Sequence, residues 1–330
     1  MSGAWVFYGL TLLTFLGVNV IACWALDLQF GTAGLLNFGF ILFQAAGAYT
    51  VALLSLGAPQ AGGYQAYFFG TTLPWPLPWI AAMAVGGALA FVTGIFVMGP
   101  RRRDYQAIAM LIVSIMVYTV VSNEPRLLNG TSGLSGIPQL FQKLGLVSYG
   151  WVYAGITWAL VALVYVLVRR IRESPWGRLL RAARENRTAA ESLGFNVRKE
   201  SLIIYVIGGM LAALSGAVLV QFLSAWAPNS WQYAETFVYL TAIVVGGTGS
   251  TLGVVLGTLL IQTVVVEGVT FYPGFAAPDL VASLQWITIS VLVIVFLWWR
   301  PRGILPERKH RFEEGKPQTA SSAVVDRLDK

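Results

Sequence analysis

Asp27, Glu235 and Glu267 are carboxylates inside or beside long apolar stretches of this 330-residue chain. A charge in that setting is costly unless it pairs, faces water, or handles a passing solute. Asp27 closes the first apolar stretch, so it either sits at the membrane interface or pairs near the glycine-rich segment that follows. Glu235 is expected at an external mouth, within reach of a substrate ammonium or a partner protein, and Glu267 at an interface. Asn37, Gln44 and Gln262 can hydrogen-bond either a solute or a neighbouring helix. Other chemistry is thin. One cysteine, Cys23, and one histidine, His310, supply neither a disulfide framework nor a cysteine zinc site. Gly177-Arg178 and Gly315-Lys316 lack the flanking glycine and hydroxyl residue of a phosphate-binding loop. No nucleophile, base and orienting group lie close in sequence, so the chain reads as a non-enzyme that hydrolyses no ATP and holds no metal or cofactor.

The elements that carry these residues must lie in lipid. Apolar residues make up 56% of the chain and charged residues 11%, against roughly 25% charged in soluble domains. Met1–Leu26 is uncharged, and only neutral residues separate Asp27 from Arg101. Measured against the roughly 20 residues that cross a bilayer, spans are expected near Met1–Leu26, Leu35–Leu56, Trp79–Met98, Tyr105–Val121, Tyr149–Val168, Ser201–Phe222 and Leu280–Trp299. Met1–Leu26 lacks a basic start and reads as a retained helix rather than a signal peptide. Gly57–Pro78, with Pro74, Pro76 and Pro78 at its end, reads as loop. Gly246, Gly247, Gly249 and Gly253 divide Phe237–Gly268 into two short or broken spans. The expected fold is all-α: a polytopic transmembrane bundle of about 8–10 spans with broken glycine-rich helices, as counted against that span length. A permease domain covers 1–306, its cytoplasmic loop covers 169–200, and a polar, disordered tail covers 307–330.

Basic residues accumulate on the cytoplasmic side. Arg101–Arg103, the segment Arg169–Glu200 and the tail from Arg300 hold twenty of the twenty-two, leaving Arg126 and Lys143. Nine crossings put all three segments on one face, with the amino terminus external and the carboxyl terminus cytoplasmic. The net charge of +7 is then a matter of topology, not of nucleic-acid binding.

The loop 169–200 has internal structure. Ser174-Pro175 is a helix start, and Trp176, Leu179, Leu180 and Ala183 form one apolar face, with Arg178, Arg181, Arg184 and Arg187 turned to water or anions. Thr188 through Glu191 fits a capping box and Gly194 a left-handed stop, giving a short helix Thr188–Leu193. The stretch RAARENRTAAESLG from Arg181 to Gly194 resembles the EAA loop of bacterial ABC importer permeases. GLLNFG from Gly34 with GAYT from Gly47, RDYQAI from Arg103, GTSGLSGI from Gly130, GGTGS from Gly246 and RPRGIL from Arg300 resemble, in order, segments of the Liv-type (LivM-like) branched-chain amino acid permease family. Phe40, Arg103 and Val254 depart from that pattern, and Phe40 replaces a hydrogen-bonding residue near the presumed pathway.

The resemblance implies a permease subunit of the cytoplasmic membrane of a prokaryote, importing branched-chain or related amino acids. Urea and short-chain amides are alternatives within the family; an ATPase-independent channel or secondary transporter is the alternative outside it. The implied partners are a second, LivH-like permease subunit, two ABC ATPase subunits that bind ATP and magnesium, an extracytoplasmic solute-binding protein, and membrane lipid. The same resemblance assigns ATPase coupling to Arg181, Glu185, Thr188, Ala189, Ala190, Glu191 and Gly194. Backbone freed at helix breaks can line a cavity at membrane depth. On that ground Gly34, Asn37, Gly39 and Gln44 in one segment, and Gly246, Gly247, Thr248, Gly249 and Ser250 in the other, are expected to line the route, with Gly31–Gly47 facing Gly246–Gly257. Close packing of small residues is the competing explanation for those glycines.

Overall fold

Uncharged runs of residues that favour helix close their own backbone hydrogen bonds, as lipid requires. A computed structural model of the chain describes residues 2–59, 64–98, 103–141, 145–267, 278–300 and 303–305. The tail 307–330, with His310, and the residues Arg101, Arg102 and Lys143 lie outside these, as does the side chain of Glu267. The long helices are α1 (Ser2–Asp27), α2 (Ile41–Ser55), α3 (Leu77–Val97) and α4 (Arg103–Asn123). A single turn, α5 (Pro125–Leu128), precedes α6 (Leu146–Glu173), α7 (Pro175–Glu185), α8 (Arg187–Ser192) and α9 (Val197–Leu223). The chain continues with α10 (Tyr233–Gly246), α11 (Thr251–Thr258) and α12 (Pro278–Trp299). Among the described residues, five helices are long and apolar enough to span a bilayer, and three shorter apolar ones accompany them. The expected all-α transmembrane bundle is what forms.

The boundaries differ from expectation where the helices break. α1 runs past Leu26 and unwinds through a π turn, Leu28–Thr32. The second span begins at Ile41 rather than Leu35, because residues 33–40 are irregular. The expected divided span is α10, a turn at 247–250, then α11 continuing as π-helix through Leu259–Glu267.

The core is centred on α9, which packs against α1, α2 and α3. Of its most apolar window 72% is buried, against 28% for α4 at the periphery. Small residues permit this. A side-chain carbon at Gly47 of α2 would overlap the Ala213 backbone, and one at Gly216 of α9 the Gln44 carbonyl. Without a hydrophobic force between helices in lipid, such close packing is the main source of cohesion.

The irregular segments gather at two ends. At one end Leu134 and Ser135 pair antiparallel with Trp226 and Ala225, Gln65 bonds Ser135, and Ser224 Oγ donates to the Ile137 carbonyl at 2.7 Å. The segment Gly130–Ile137 thus packs beside the end of α9. At the other end lie residues 28–40, α7, α8 and the 247–250 turn. Trp298 and Trp299, 88% and 85% exposed at the end of α12, match the aromatic belt of a membrane interface.

Replacing Gly47 by Leu forces α2 away from α9 and is expected to cost about 3 kcal/mol or more. Gly155→Leu, at a position with open space around it, leaves stability unchanged. Thermal unfolding of the two variants in detergent, compared with the parent chain, checks this.

Candidate functional site

Two helix interruptions and one loop converge at the α7 end of the bundle. The first interruption, 28–40, turns on its own backbone, the Gly34 and Leu35 amides donating to the Phe30 and Gln29 carbonyls at 3.0 and 2.9 Å, and is tied to its surroundings by buried side-chain amides. Gln29 Nε2 donates to the Tyr205 carbonyl of α9 at 3.0 Å, and Asn37 Nδ2 donates to Gln29 Oε1 at 2.9 Å. Asn37 Oδ1 in turn accepts from the Gly39 amide at 3.2 Å. The start of α2 is tied across the bundle, where the Ile41 amide donates to Thr236 Oγ1 at 3.2 Å. Gly34 adopts a left-handed φ of 68° that suits glycine.

The second interruption is the turn Gly247–Ser250. Gly247 and Gly249 have φ of 117° and 78°, and Ser250 Oγ caps α11 by accepting from the Gly253 amide at 3.2 Å. The terminal carbonyls of α10 are met by a segment distant in sequence. The Ile304 amide donates to the Val245 carbonyl at 2.9 Å, and the Leu305 amide to the Gly246 carbonyl at 3.0 Å. Ile304 and Leu305, the end of the RPRGIL stretch, thus cap α10, a role the resemblance to a family motif did not reveal.

Asp27 joins the two interruptions. It is fully buried and forms an ion pair with Arg172 near the end of α6. Its other oxygen accepts from the Gly249 amide at 3.0 Å. Arg172, 5% exposed, also donates to the Gly249 carbonyl at 3.2 Å and to Thr251 Oγ1 at 3.1 Å. Trp24, one turn before Asp27, donates through Nε1 to the Thr251 carbonyl at 2.9 Å. Removing one member of such a buried pair costs about 3–5 kcal/mol. Of the two expectations for Asp27, pairing near the glycine segment is the one that holds. The partner went unassigned because nine bases crowd 169–200. Span parity carried the missing signal: Asp27 ends the first span and Arg172 the fifth, so both fall on the same face.

The two glycine segments approach each other here. A side-chain carbon at Gly31 would crowd the Gly249 amide at 2.8 Å and the Asp27 carboxylate. Gly39 packs closely against Met110 of α4, and Gly246 against Gly253 and Gly257 within the α10–α11 hairpin. Gln44, 1% exposed, accepts from the Tyr239 hydroxyl at 3.1 Å. Phe40 lies edge-on to Tyr239 with ring centroids 6.1 Å apart. Gln262 is buried, while Thr248, Gly249 and Ser250 are partly exposed. Glu235 lies in the first turn of α10, at the end of that helix away from the Asp27–Arg172 pair.

The loop forms as expected at its start. Ser174 Oγ accepts from the Gly177 amide at 3.0 Å and Pro175 opens α7. Leu180 and Ala183 are buried, whereas Leu179 is 47% exposed. Arg181 and Arg184 turn inward instead of to water: Arg181 Nη2 donates to the Arg172 carbonyl at 3.0 Å, and Arg184 to the Gly31 carbonyl. The second cap is also corrected. Asn186, not Thr188, caps α8, its Oδ1 accepting from the Ala189 amide at 3.0 Å, so the helix is Arg187–Ser192. Glu191 pairs with Arg187 at 2.8 Å rather than closing a box with Thr188. Gly194 takes the left-handed conformation, φ 83°. Leu179, Ala182, Glu185, Ala189, Ala190 and Leu193 line an open groove of about 420 Å³, and Leu193 is 86% exposed.

A bundle of apolar spanning helices, broken in two places and carrying a basic end with an exposed alanine groove, is a polytopic membrane protein of the transport type. The family described as branched-chain amino acid transport system, permease component, matches residues 8–298, and the chain belongs to that family. Similar proteins include the "Probable branched-chain amino acid transport permease protein LivM" of Methanocaldococcus jannaschii, 27% identical over 90% of this chain and 93% of that protein. The high-affinity branched-chain amino acid transport system permease protein LivM of Escherichia coli is 28% identical over 88% of this chain and 66% of its own length. A ribose import permease protein, RbsC, of Haemophilus influenzae is 27% identical over 63% of this chain and 66% of that protein. No solved structure matches.

Asn186→Ala is expected to destabilise α8 by about 1 kcal/mol, whereas Thr188→Ala changes it by no more than a few tenths. Hydrogen exchange at the α8 amides checks the difference, with roughly fivefold faster exchange expected in the first variant only.

Proposed function

We propose that this chain is one membrane-spanning subunit of an ATP-driven (ABC) importer in a prokaryotic cytoplasmic membrane, and that it carries branched-chain amino acids. The observation that carries this reading is the exposed α7–α8 groove, whose small and apolar lining (Ala182, Ala189, Ala190, Leu193) suits a protein partner at the basic end of the bundle. Separate ATPase subunits, which bind ATP and magnesium, seat on Arg181 through Gly194. The basic end faces the cytoplasm by the charge rule, with the amino terminus outside. A second, LivH-like permease completes the pathway and an external binding protein delivers the solute. Amino acids are favoured over sugars because the branched-chain relatives align over nearly the whole chain, while the ribose relative aligns over 63%.

Within this reading Thr248 and Ser250 face the solute route, and Asn37 and Gln44 hold the framework beside it. The amide pairs of Asn37 and Gln44 support that division, as does the partial exposure of the 247–250 turn.

Two experiments test the proposal. Leucine uptake by cells expressing the chain with its ATPases is expected to fall at least tenfold in Ala190→Trp, with the membrane subunits still assembled. Uptake that needs no ATPase and ignores the substitution would establish a channel or secondary transporter instead. Cysteines at Thr248 and Ser250 are expected to react with a water-soluble maleimide in at least one transport state, and one at Asn37 in none. If neither of the first two ever reacts, the 247–250 turn does not line the route.

A further inference from the structure

We propose that the buried Asp27–Arg172 pair is a coupling staple that makes the two helix interruptions move as one body with α7 and α8. The proposal rests on the reading of α7–α8 as the ATPase seat and adds positioning residues that lie outside that seat.

The geometry supplies two connections from α7, one to each interruption. Arg184 donates directly to the Gly31 carbonyl of the first. Arg181 donates to the Arg172 carbonyl, which holds α7 against the end of α6, and the Arg172 guanidinium then reaches the Gly249 carbonyl and Thr251 Oγ1 of the second. Asp27 closes the circuit, since one carboxylate oxygen accepts from Arg172 and the other from the Gly249 amide. Trp24 adds a further tie from α1 to the Thr251 carbonyl. A guanidinium is planar and its donors diverge in fixed directions, so Arg172 cannot follow α6 while leaving Gly249 and Thr251 behind. Both charges are withdrawn from solvent, with 5% of the Arg172 side chain and none of Asp27 exposed.

Stability alone does not explain the pair. Well-packed apolar residues of similar volume stabilise a site as well as or better than a buried ion pair, whose attested use is to fix one arrangement over its alternatives. Here the arrangement fixed is the register of the π turn after α1 against the turn before α11, the point where the two glycine segments touch. A rigid, hydrogen-bonded link of this kind suits a displacement carried between two packed states.

The test is the number of leucine molecules imported per ATP hydrolysed by the complete complex in proteoliposomes. Arg172→Gln is expected to lower that ratio at least tenfold while hydrolysis changes less than twofold. Thr251→Val preserves the ion pair and the side-chain volume but removes one acceptor, and is expected to lower the ratio about threefold. An unchanged ratio in Thr251→Val, or uptake and hydrolysis falling in step in both variants, overturns the staple. Thr251→Val decides the matter if Arg172→Gln does not assemble. Failure of the underlying importer reading shows separately, as wild-type leucine uptake that does not depend on the ATPases.

Discussion

A helix that breaks inside a bilayer releases amides and carbonyls that lipid cannot satisfy, and most of this structure can be understood as the answer to that constraint. The first break is closed by its own backbone, through the Gly34 and Leu35 amides, and by Gln29 and Asn37, which bond each other, the α9 backbone and the Gly39 amide. The second is closed by charge and by backbone from elsewhere. Asp27 takes the Gly249 amide, Arg172 takes the Gly249 carbonyl, and residues 304 and 305 take the last carbonyls of α10. The two solutions share Asp27, which is why a carboxylate lies buried where hydrophobic residues would otherwise be expected.

The enclosing helices are specialised to match. α9 offers Gly208, Gly209 and Gly216 to α1, α3 and α2, and at each the neighbouring chain comes too close for a side chain. At Gly208 the neighbour is Gln29 itself, so the helix packing and the polar repair of the first break are one contact seen from two sides. α4, by contrast, presents Ile108, Ile112, Met116 and Val120 outward. Apolar exposure of this kind is the normal state of a helix that lipid can cover.

Much of this was legible in the sequence. Long uncharged runs forced the bundle, the glycine clusters marked both breaks, and Ser174-Pro175 marked the start of α7, because each of these signals is local. Boundaries were legible only to within a few residues: the first helix passes the charge at Asp27 into a π turn, since a paired carboxylate need not end a helix. The cap of α8 was misplaced because Asn186 and Thr188 both precede a free amide at the right spacing, and asparagine is the stronger cap. Contacts across 145 residues, such as Asp27 with Arg172, carry no local signature. Choosing Arg172 from nine neighbouring bases required the order of crossings as well as their composition. The inward turn of Arg181 and Arg184 was hidden for the same reason, because a base on a polar helix face looks alike whether water or a carbonyl waits for it.

The clamp on α10 by residues 303–305 has a consequence for the timing of biogenesis. The Val245 and Gly246 carbonyls meet donors that are made more than fifty residues later, after α11 and α12. A chain leaving the ribosome therefore reaches the membrane with this hairpin unfinished, and its last turn settles only when residues 304 and 305, which follow α12, have returned to it. Closure of the second break is thus a late step of assembly rather than a local one.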